Sequence, residues 1–437
     1  MSIFLTLRNK WLNSFFLPGL IFLFACNHQY QAIPDFYHPL LDTAINNAGD
    51  NASNIMSALN KCPKEQREGM AFLISYMPEQ DLVSLSDTFL LENAHYAYKA
   101  RNEFPWCSNL PDSIFFNEVL PYANISEDRD PWRKAFYERF SKYVKDKDNI
   151  IDAIFAINRN IEDEVGVEYN TERSRSDAGP KQSMEEHMAT CTGLSILLTD
   201  AFRSVGIPSR LAGTAMWTNM RGNHTWSEVL IGDEWMFTEY NPDTLNKSWF
   251  VRDAGKADPE NKIHWIYAAS YKPTDVLYPV RSQFFNIFME MDTSELPDRW
   301  KRFLERRKNG DRKPEKPYIF GHNVTQRYID IYQELSESNP LEADELDIDV
   351  VLYKSPDEHT SKDRVSCRVE VYEGERLIDF GYSPVKTDDA NRFLNFRIKK
   401  NTQYRIILKD PALEGKQKEI LLETGQEANE VYKLFLR

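Results

Sequence analysis

Cys191 opens the segment CTGLSILLTDAFRSVGIPSRLAG, and the chain then supplies His224 in GNHTWSEV and Glu239 in WMFTEYNP. A thiol at a helix start, followed by a histidine and an acid on successive strands, restricts the fold. A nucleophilic cysteine needs a base within reach, and the base needs a third group to orient it. After Cys191, the apolar residues Leu194, Leu197, Leu198, Ala201 and Phe202 recur at spacings of three and four, the stripe of a helix with one buried face. Gly206 ends it. Cys191 therefore falls in the first turn, where unpaired backbone N–H groups and the helix dipole stabilise a thiolate and can receive a substrate oxyanion.

Beyond Gly206, residues 207–212 read as a strand, and the polar loop TNMRGN leads into HTWSEVLI, which puts His224, Trp226 and Glu228 on one strand face. Gly232 and Asp233 supply a turn, and WMFTEY returns with Trp235, Phe237 and Glu239 on one face. The midpoint of 224 and 239 falls about one residue short of the apparent turn centre, so His224 and Glu239 are expected nearly opposite each other across the hairpin.

These residues resemble the transglutaminase-like superfamily, the papain-related fold that places Cys on a helix and His and Asp on adjacent strands. The resemblance covers residues 148–278 and is strongest over 191–242. Its markers are Cys191-Thr192-Gly193, the run Val205-Gly206-Ile207-Pro208-Ser209-Arg210, the run His224-Thr225-Trp226-Ser227-Glu228-Val229, and Trp235 four residues before the acid. It implies Cys191 as nucleophile, His224 as base and Glu239 as the third member, where the family usually has Asp. Asp243 is the fallback acid. Gln182, in PKQSMEEH, is a candidate for pointing its amide at the oxyanion, as the glutamine before the nucleophile does in papain-like enzymes. Trp226 is expected to pack beside the imidazole, and Trp217 either lines the cleft or fills the core.

Other chemistries leave weaker traces. His187 and Cys191 are four apart, but no CxxC, HExxH or second histidine cluster completes a metal site, so no metal or other cofactor is expected. Neither GxGxxG nor a P-loop lysine pattern occurs, which leaves nucleotide binding without support. The net charge of −14 disfavours nucleic acid as a partner, and the short RRKNGDRKPEKP stretch reads as a solvated linker. Of five Asn-x-Ser/Thr sequons, at Asn51, Asn124, Asn223, Asn246 and Asn323, the one at Asn223 abuts His224, which argues against reading them as glycan sites.

At the amino terminus, Arg8 and Lys10 precede an apolar run over 15–25 that ends at Leu23-Phe24-Ala25-Cys26. This layout is that of a signal peptide, too short to span a membrane comfortably. It resembles a bacterial lipoprotein signal in which Cys26 is lipidated, and this implies a cell-envelope protein anchored to a membrane through its N-terminal lipid. Of the remaining cysteines, Cys62 and Cys107 either pair in an exported compartment or are simply buried, and Cys367 stands apart.

The chain length, with 42% hydrophobic content, suits about three globular units. The expected organisation is a signal segment over 1–26, a helical N-terminal region over 27–147 and a transglutaminase-like core over 148–290. A linker over 291–330 and a β-sandwich over 331–437 complete it. Prolines 63, 78, 105, 111 and 121 punctuate the helical region, DNIIDAIFAINRNIEDEV reads as the core's first long helix, and seven alternating segments from LDIDVVLYK onward read as an antiparallel sandwich. The fold class is α+β. The expected function is a cysteine enzyme that cleaves or transfers the acyl group of a peptide or protein amide through a thioester. The competing reading is a catalytically inactive binding or scaffold lipoprotein on the same fold.

Overall fold

The computed structural model describes residues 30–280, 319–409, 417–427 and 431–436, with a few positions between 298 and 305. The lipobox around Cys26 and the RRKNGDRKPEKP stretch lie outside the described residues.

Residues 38–144 form a layer of helices in which the prolines act as start signals: Pro63, Pro78 and Pro111 precede helices, and Pro105 occupies a first turn. The longest, α1 (Asp87–Glu103), is capped by the Ser86 hydroxyl, which accepts from the Phe89 N–H. Next comes α2 (Trp132–Val144), then α3 (Ile150–Val165), which is capped by the Asn149 side chain and ended by Gly166 in the left-handed conformation, φ +64°. The layer is tied to the core by buried arginines. Arg133 on α2 donates to the backbone oxygens of Val119, Leu120, Pro121 and Arg203, and Arg203 donates to those of Glu118, Ala123 and Ser209. Each guanidinium satisfies carbonyls that the irregular chain over 118–123 leaves without helical partners.

The core begins with α3, the two-residue parallel pair β1 (Glu168–Tyr169) and β2 (Met188–Ala189), and the short α4 (Pro180–Glu186) between them. Then come α5 (Cys191–Ser204), β3 (Ser209–Thr214), β4 (His224–Ile231), β5 (Glu234–Thr238), β6 (Ile266–Ser270), β7 (Val276–Leu277) and β8 (Phe320–Asn323). The six strands β3 to β8 make one sheet in the order β5-β4-β3-β6-β8-β7, every pair antiparallel. Leu194, Leu197, Leu198, Ala201 and Phe202 on α5 pack with Ile154, Ile157 and Ile161 of α3 and with Val229 of β4. On the other sheet face, Trp217, Trp226, Phe237 and Phe250 pack against α6 (Thr325–Ser338) through Tyr328. The expected linker over 291–330 thus includes residues that belong to the layers of the core, since Phe320–Asn323 pairs with β6 and α6 covers Trp226. The charged, Pro-rich stretch that ends at Pro317 marks a boundary but not which side β8 belongs to, because a strand that completes a sheet is specified by its partner's register rather than by local composition.

The C-terminal unit comprises β9 (Glu345–Tyr353), β10 (Arg368–Glu373), β11 (Arg376–Tyr382), β12 (Leu394–Lys399), β13 (Gln403–Lys409), β14 (Lys418–Glu423) and β15 (Tyr432–Phe435). Two sheets, β11-β10-β13-β14 and β12-β9-β15, enclose one apolar core that includes Ile348, Val369, Phe396, Ile406 and Leu434. The pairings are antiparallel except that β15 runs parallel to β9. This unit is clamped to the core by Asp349, 6% exposed, whose carboxylate takes one guanidinium from Arg221 and another from Arg252.

Cys62, Cys107 and Cys367 are buried, and Cys62 and Cys107 are not joined in a disulfide. Cys107 packs instead against Gly206, where an added Cβ would stand 2.8 Å from its sulfur. The Cys62 thiol points to the Leu59 carbonyl at 3.4 Å.

Candidate active site

Cys191 is the first residue of α5, half-buried, with Thr190 as the flanking cap residue in extended conformation. The Thr192 hydroxyl meets that of Thr225, 3.1 Å away, and the Ser195 hydroxyl donates to the Thr225 carbonyl at 3.0 Å. These bonds pin the first turn of the helix to the start of β4, which brings the thiol beside the first residue of that strand, His224.

The His224 side chain is only 3% exposed. It is walled by Trp249, Phe250 and Trp226, with ring centroids at 4.7, 5.1 and 5.6 Å. Its Nε2 lies 2.7 Å from Glu239 Oε1, and the other carboxylate oxygen of Glu239 accepts from the Ser248 hydroxyl. Nε2 is committed to the Glu239 carboxylate, and Nδ1 lies on the side of the thiol and of Asp389. Cys191, a ring nitrogen of His224 and a carboxylate oxygen of Asp389 all lie within 4.8 Å of one another. Asp389 comes from the β11–β12 loop of the C-terminal unit, and its Oδ2 stands 3.4 Å from Nδ1. Burial alone would push the imidazole pKa down, but the Asp389 carboxylate, the Cys191 thiol and the Glu239 carboxylate together hold it well above 6.5.

The hairpin register pairs Ser227 with Thr238, so Glu239 lies one position past the end of β5 and would continue opposite Trp226. It reaches His224 along a diagonal rather than directly across. The extra methylene of Glu over Asp supplies part of that reach, which gives a physical reason for the longer acid at this position.

The other sequence candidates sit as follows. Asp243 is at the surface, paired with Arg159 at 2.7 Å, away from the imidazole. Gln182 on α4 directs its amide to Glu186 at 2.9 Å and to Ser174, and it lines neither cavity that meets Cys191. Trp226 is fully buried beside His224 and donates its indole N–H to the Tyr328 hydroxyl at 2.6 Å. Trp217 stacks on Trp226 with nearly parallel rings, centroids 6.2 Å apart, in the core rather than in the cleft. Glu228 in the same motif is a buried anchor that accepts from Arg210, Tyr328 and Arg327.

Two cavities open on either side of the thiol. One, of about 660 Å³, runs over Glu239, Tyr240, Lys247, Trp249 and Asp388; the other, of about 600 Å³, runs over Arg173, Thr214, Arg221, Asn223 and Tyr278. Both include Tyr169, Cys191, Thr225 and Asp389, so the nucleophile sits at the waist of a continuous cleft. Over that waist, the Ala390 N–H donates to the Tyr169 hydroxyl at 2.9 Å and the Asn391 amide donates to the Asn223 carbonyl at 2.7 Å. Sequence reasoning missed Tyr169, Ser248, Trp249 and Asp389. Only Ser248-Trp249 carried a local signal, as a polar-aromatic step after the loop that follows the acid.

Residues 138–240 match the sequence profile of the Transglutaminase-like superfamily. The chain contains a transglutaminase-like core. Among solved structures, a candidate cysteine protease from Cytophaga hutchinsonii matches at 18% identity with a TM-score of 0.25; the match covers 32% of this chain and 45% of that one. A search of the curated proteins gave no match.

Proposed function

We propose that this protein is a cysteine-dependent amide hydrolase or acyl transferase. The observation that carries the reading is the placement of His224, with Nε2 held by Glu239 at 2.7 Å and the opposite side of the ring facing the thiol at the start of α5. In the first step, His224 Nδ1 takes the thiol proton and the sulfur adds to the amide carbonyl carbon. The resulting oxyanion is received by backbone N–H groups at the start of α5. Collapse returns the proton to the leaving amine and leaves a thioester on Cys191. Attack by water then completes a hydrolysis, and attack by an amine completes a transfer. The negative lining of one cleft arm and the arginines of the other favour an extended peptide or protein chain as substrate rather than a compact metabolite. The LFAC sequence supports placement at a bacterial envelope through lipid on Cys26.

The test is to incubate the full chain with iodoacetamide near neutral pH and map the products by mass spectrometry. Cys191 should label faster than Cys62, Cys107 and Cys367, and His224→Ala should slow it. A library of envelope peptides, peptidoglycan fragments and glutamine-containing proteins should then yield an acyl adduct trapped on Cys191. Equal labelling of all four thiols removes the enzyme reading.

A further inference from the structure

We propose that Cys191, His224 and Asp389 form a binding site for a zinc-class divalent cation, which holds the nucleophile inactive while it is bound. This goes beyond the catalytic reading, although it uses two of the same residues.

Thiolate, imidazole and carboxylate are the three ligand types that zinc prefers, and three protein ligands with an open fourth position make a stable tetrahedral site. Zn–N and Zn–O bonds of about 2.0–2.2 Å at the tetrahedral angle place a nitrogen and an oxygen ligand about 3.3–3.5 Å apart. His224 Nδ1 and Asp389 Oδ2 are 3.4 Å apart. Both side chains are more than nine-tenths buried, at 3% and 8% exposure, and both atoms lack a hydrogen-bond partner. At that spacing the two buried atoms make no hydrogen bond and attract only as imidazolium and carboxylate, a pairing that a cation held by both atoms would replace. The sulfur lies within 4.8 Å of both, so a shift of roughly one ångström brings it to a Zn–S distance of about 2.3 Å.

The surrounding groups are arranged as a metal site requires. Glu239 accepts from Nε2 and so fixes the ring, and an ion takes the Nδ1 lone pair once the proton on that nitrogen has left to solvent. Asp389 is held in turn: its Oδ1 accepts from the Asn391 N–H at 2.7 Å, and its carbonyl accepts from Arg364 at 2.9 Å. The two cleft arms give an ion access from either side. Binding converts the thiol to a coordinated thiolate, and its proton leaves to solvent. A coordinated sulfur has no free pair aimed at a carbonyl, and Nδ1 has none for a proton, so the site is silent until the ion leaves.

The experiment uses the full chain freed of metal, with Zn²⁺ alone as the probe. Zinc affinity is read by competition with a chromophoric chelator. Accessibility of Cys191 is read as the ratio of its iodoacetamide labelling rate in EDTA to that in excess zinc, taken within each variant. The wild type should bind one zinc per chain and show a ratio of at least about ten, since metal ligation blocks the thiolate. Asp389→Ala, and Asp389→Asn, which keeps an acceptor for the Asn391 N–H, should lose affinity at least tenfold and bring the ratio toward one. Glu239→Gln should cost about 10–100-fold in zinc affinity through the imidazole it orients. Equal zinc affinity in wild type and both Asp389 variants, or no zinc effect on the wild type, overturns the proposal. The EDTA arm reads the activated thiol separately. A Cys191 no faster than the buried cysteines there defeats the catalytic reading, whatever zinc does.

Discussion

Replacing Glu239 by Gln isolates the charge that the proposed mechanism asks of this residue. The amide oxygen can still accept from His224 Nε2 and the amide nitrogen can still meet Ser248, so the hydrogen bonds at 2.7 Å and to the hydroxyl survive in form. What disappears is the negative charge facing the imidazolium. With charge centres about 4 Å apart and an effective dielectric near 20, that interaction is about 4 kcal/mol. The Glu239 side chain is 16% exposed and Asp389 remains on the other side of the ring, so roughly half of it, about 2 kcal/mol, is the expected loss, or about 30-fold in imidazolium-dependent thiol reactivity. The assay is the second-order rate of Cys191 alkylation in EDTA, compared between wild type and variant at one pH, with near-ultraviolet circular dichroism to check packing around Trp226 and Trp249. Once a substrate is known, turnover should fall further, toward the about ten-thousandfold that the acid-to-amide change costs in a serine triad. An unchanged alkylation rate in a folded Glu239→Gln protein refutes the assignment of Glu239 as the group that supports His224.

Three further outcomes are expected. Gly206→Ala should destabilise the chain by about 2–4 kcal/mol in urea unfolding, because φ is +75° there and the new Cβ would stand 2.8 Å from the Cys107 sulfur. Asp349→Ala should release the C-terminal unit from the core, read as faster limited proteolysis between the two. Burial raises the Asp349 carboxyl pKa, but Arg252 and Arg221 more than reverse this and hold it below its ordinary value. The clamp is therefore intact above about pH 4 and is lost as pH falls through the lower folded value, which a pH series of the same proteolysis will show. Cys26→Ser should block lipid attachment and move the protein out of the membrane fraction; an unmodified Cys26 in the mature wild-type chain would end the lipoprotein reading.

The parts of the site that were legible in the sequence are those whose signal is local. The apolar stripe of α5 places the helix, and Leu194, Leu197, Leu198, Ala201 and Phe202 are buried, but so is every other residue from Gly193 to Ser204, so the helix is enclosed all round rather than on the one expected face. The β4–β5 turn is legible because Gly232 must adopt φ +63°, a conformation that a side chain disfavours. Glu239 was found for a similar reason, since it directly follows a strand whose alternation can be counted. Its diagonal reach could not be counted, because hairpin register depends on the turn geometry. Trp217 and Gln182 show the opposite case. Both have residue types suited to a cleft, yet stacking on Trp226 draws one into the core, and an acceptor four residues along its own helix draws the amide of the other away.

Asp389 lies in a turn of a sandwich whose strands show nothing but alternation, and no spacing rule connects it to Cys191. It reaches the thiol only because three separate placements agree. Asp349 on β9 clamps the unit to Arg221 and Arg252, the Asn391 amide grips the Asn223 carbonyl beside His224, and Arg364 holds the Asp389 and Ala390 carbonyls within the loop. Each of these contacts joins residues far apart in the chain, so each is set by tertiary packing and leaves no mark on local composition. A sandwich that merely covered a sheet edge would have no use for a carboxylate buried at 8% exposure against the His224 imidazole. Under the proposed function, that placement brings the C-terminal unit into the chemistry and puts control of the thiol in a loop outside the transglutaminase-like core.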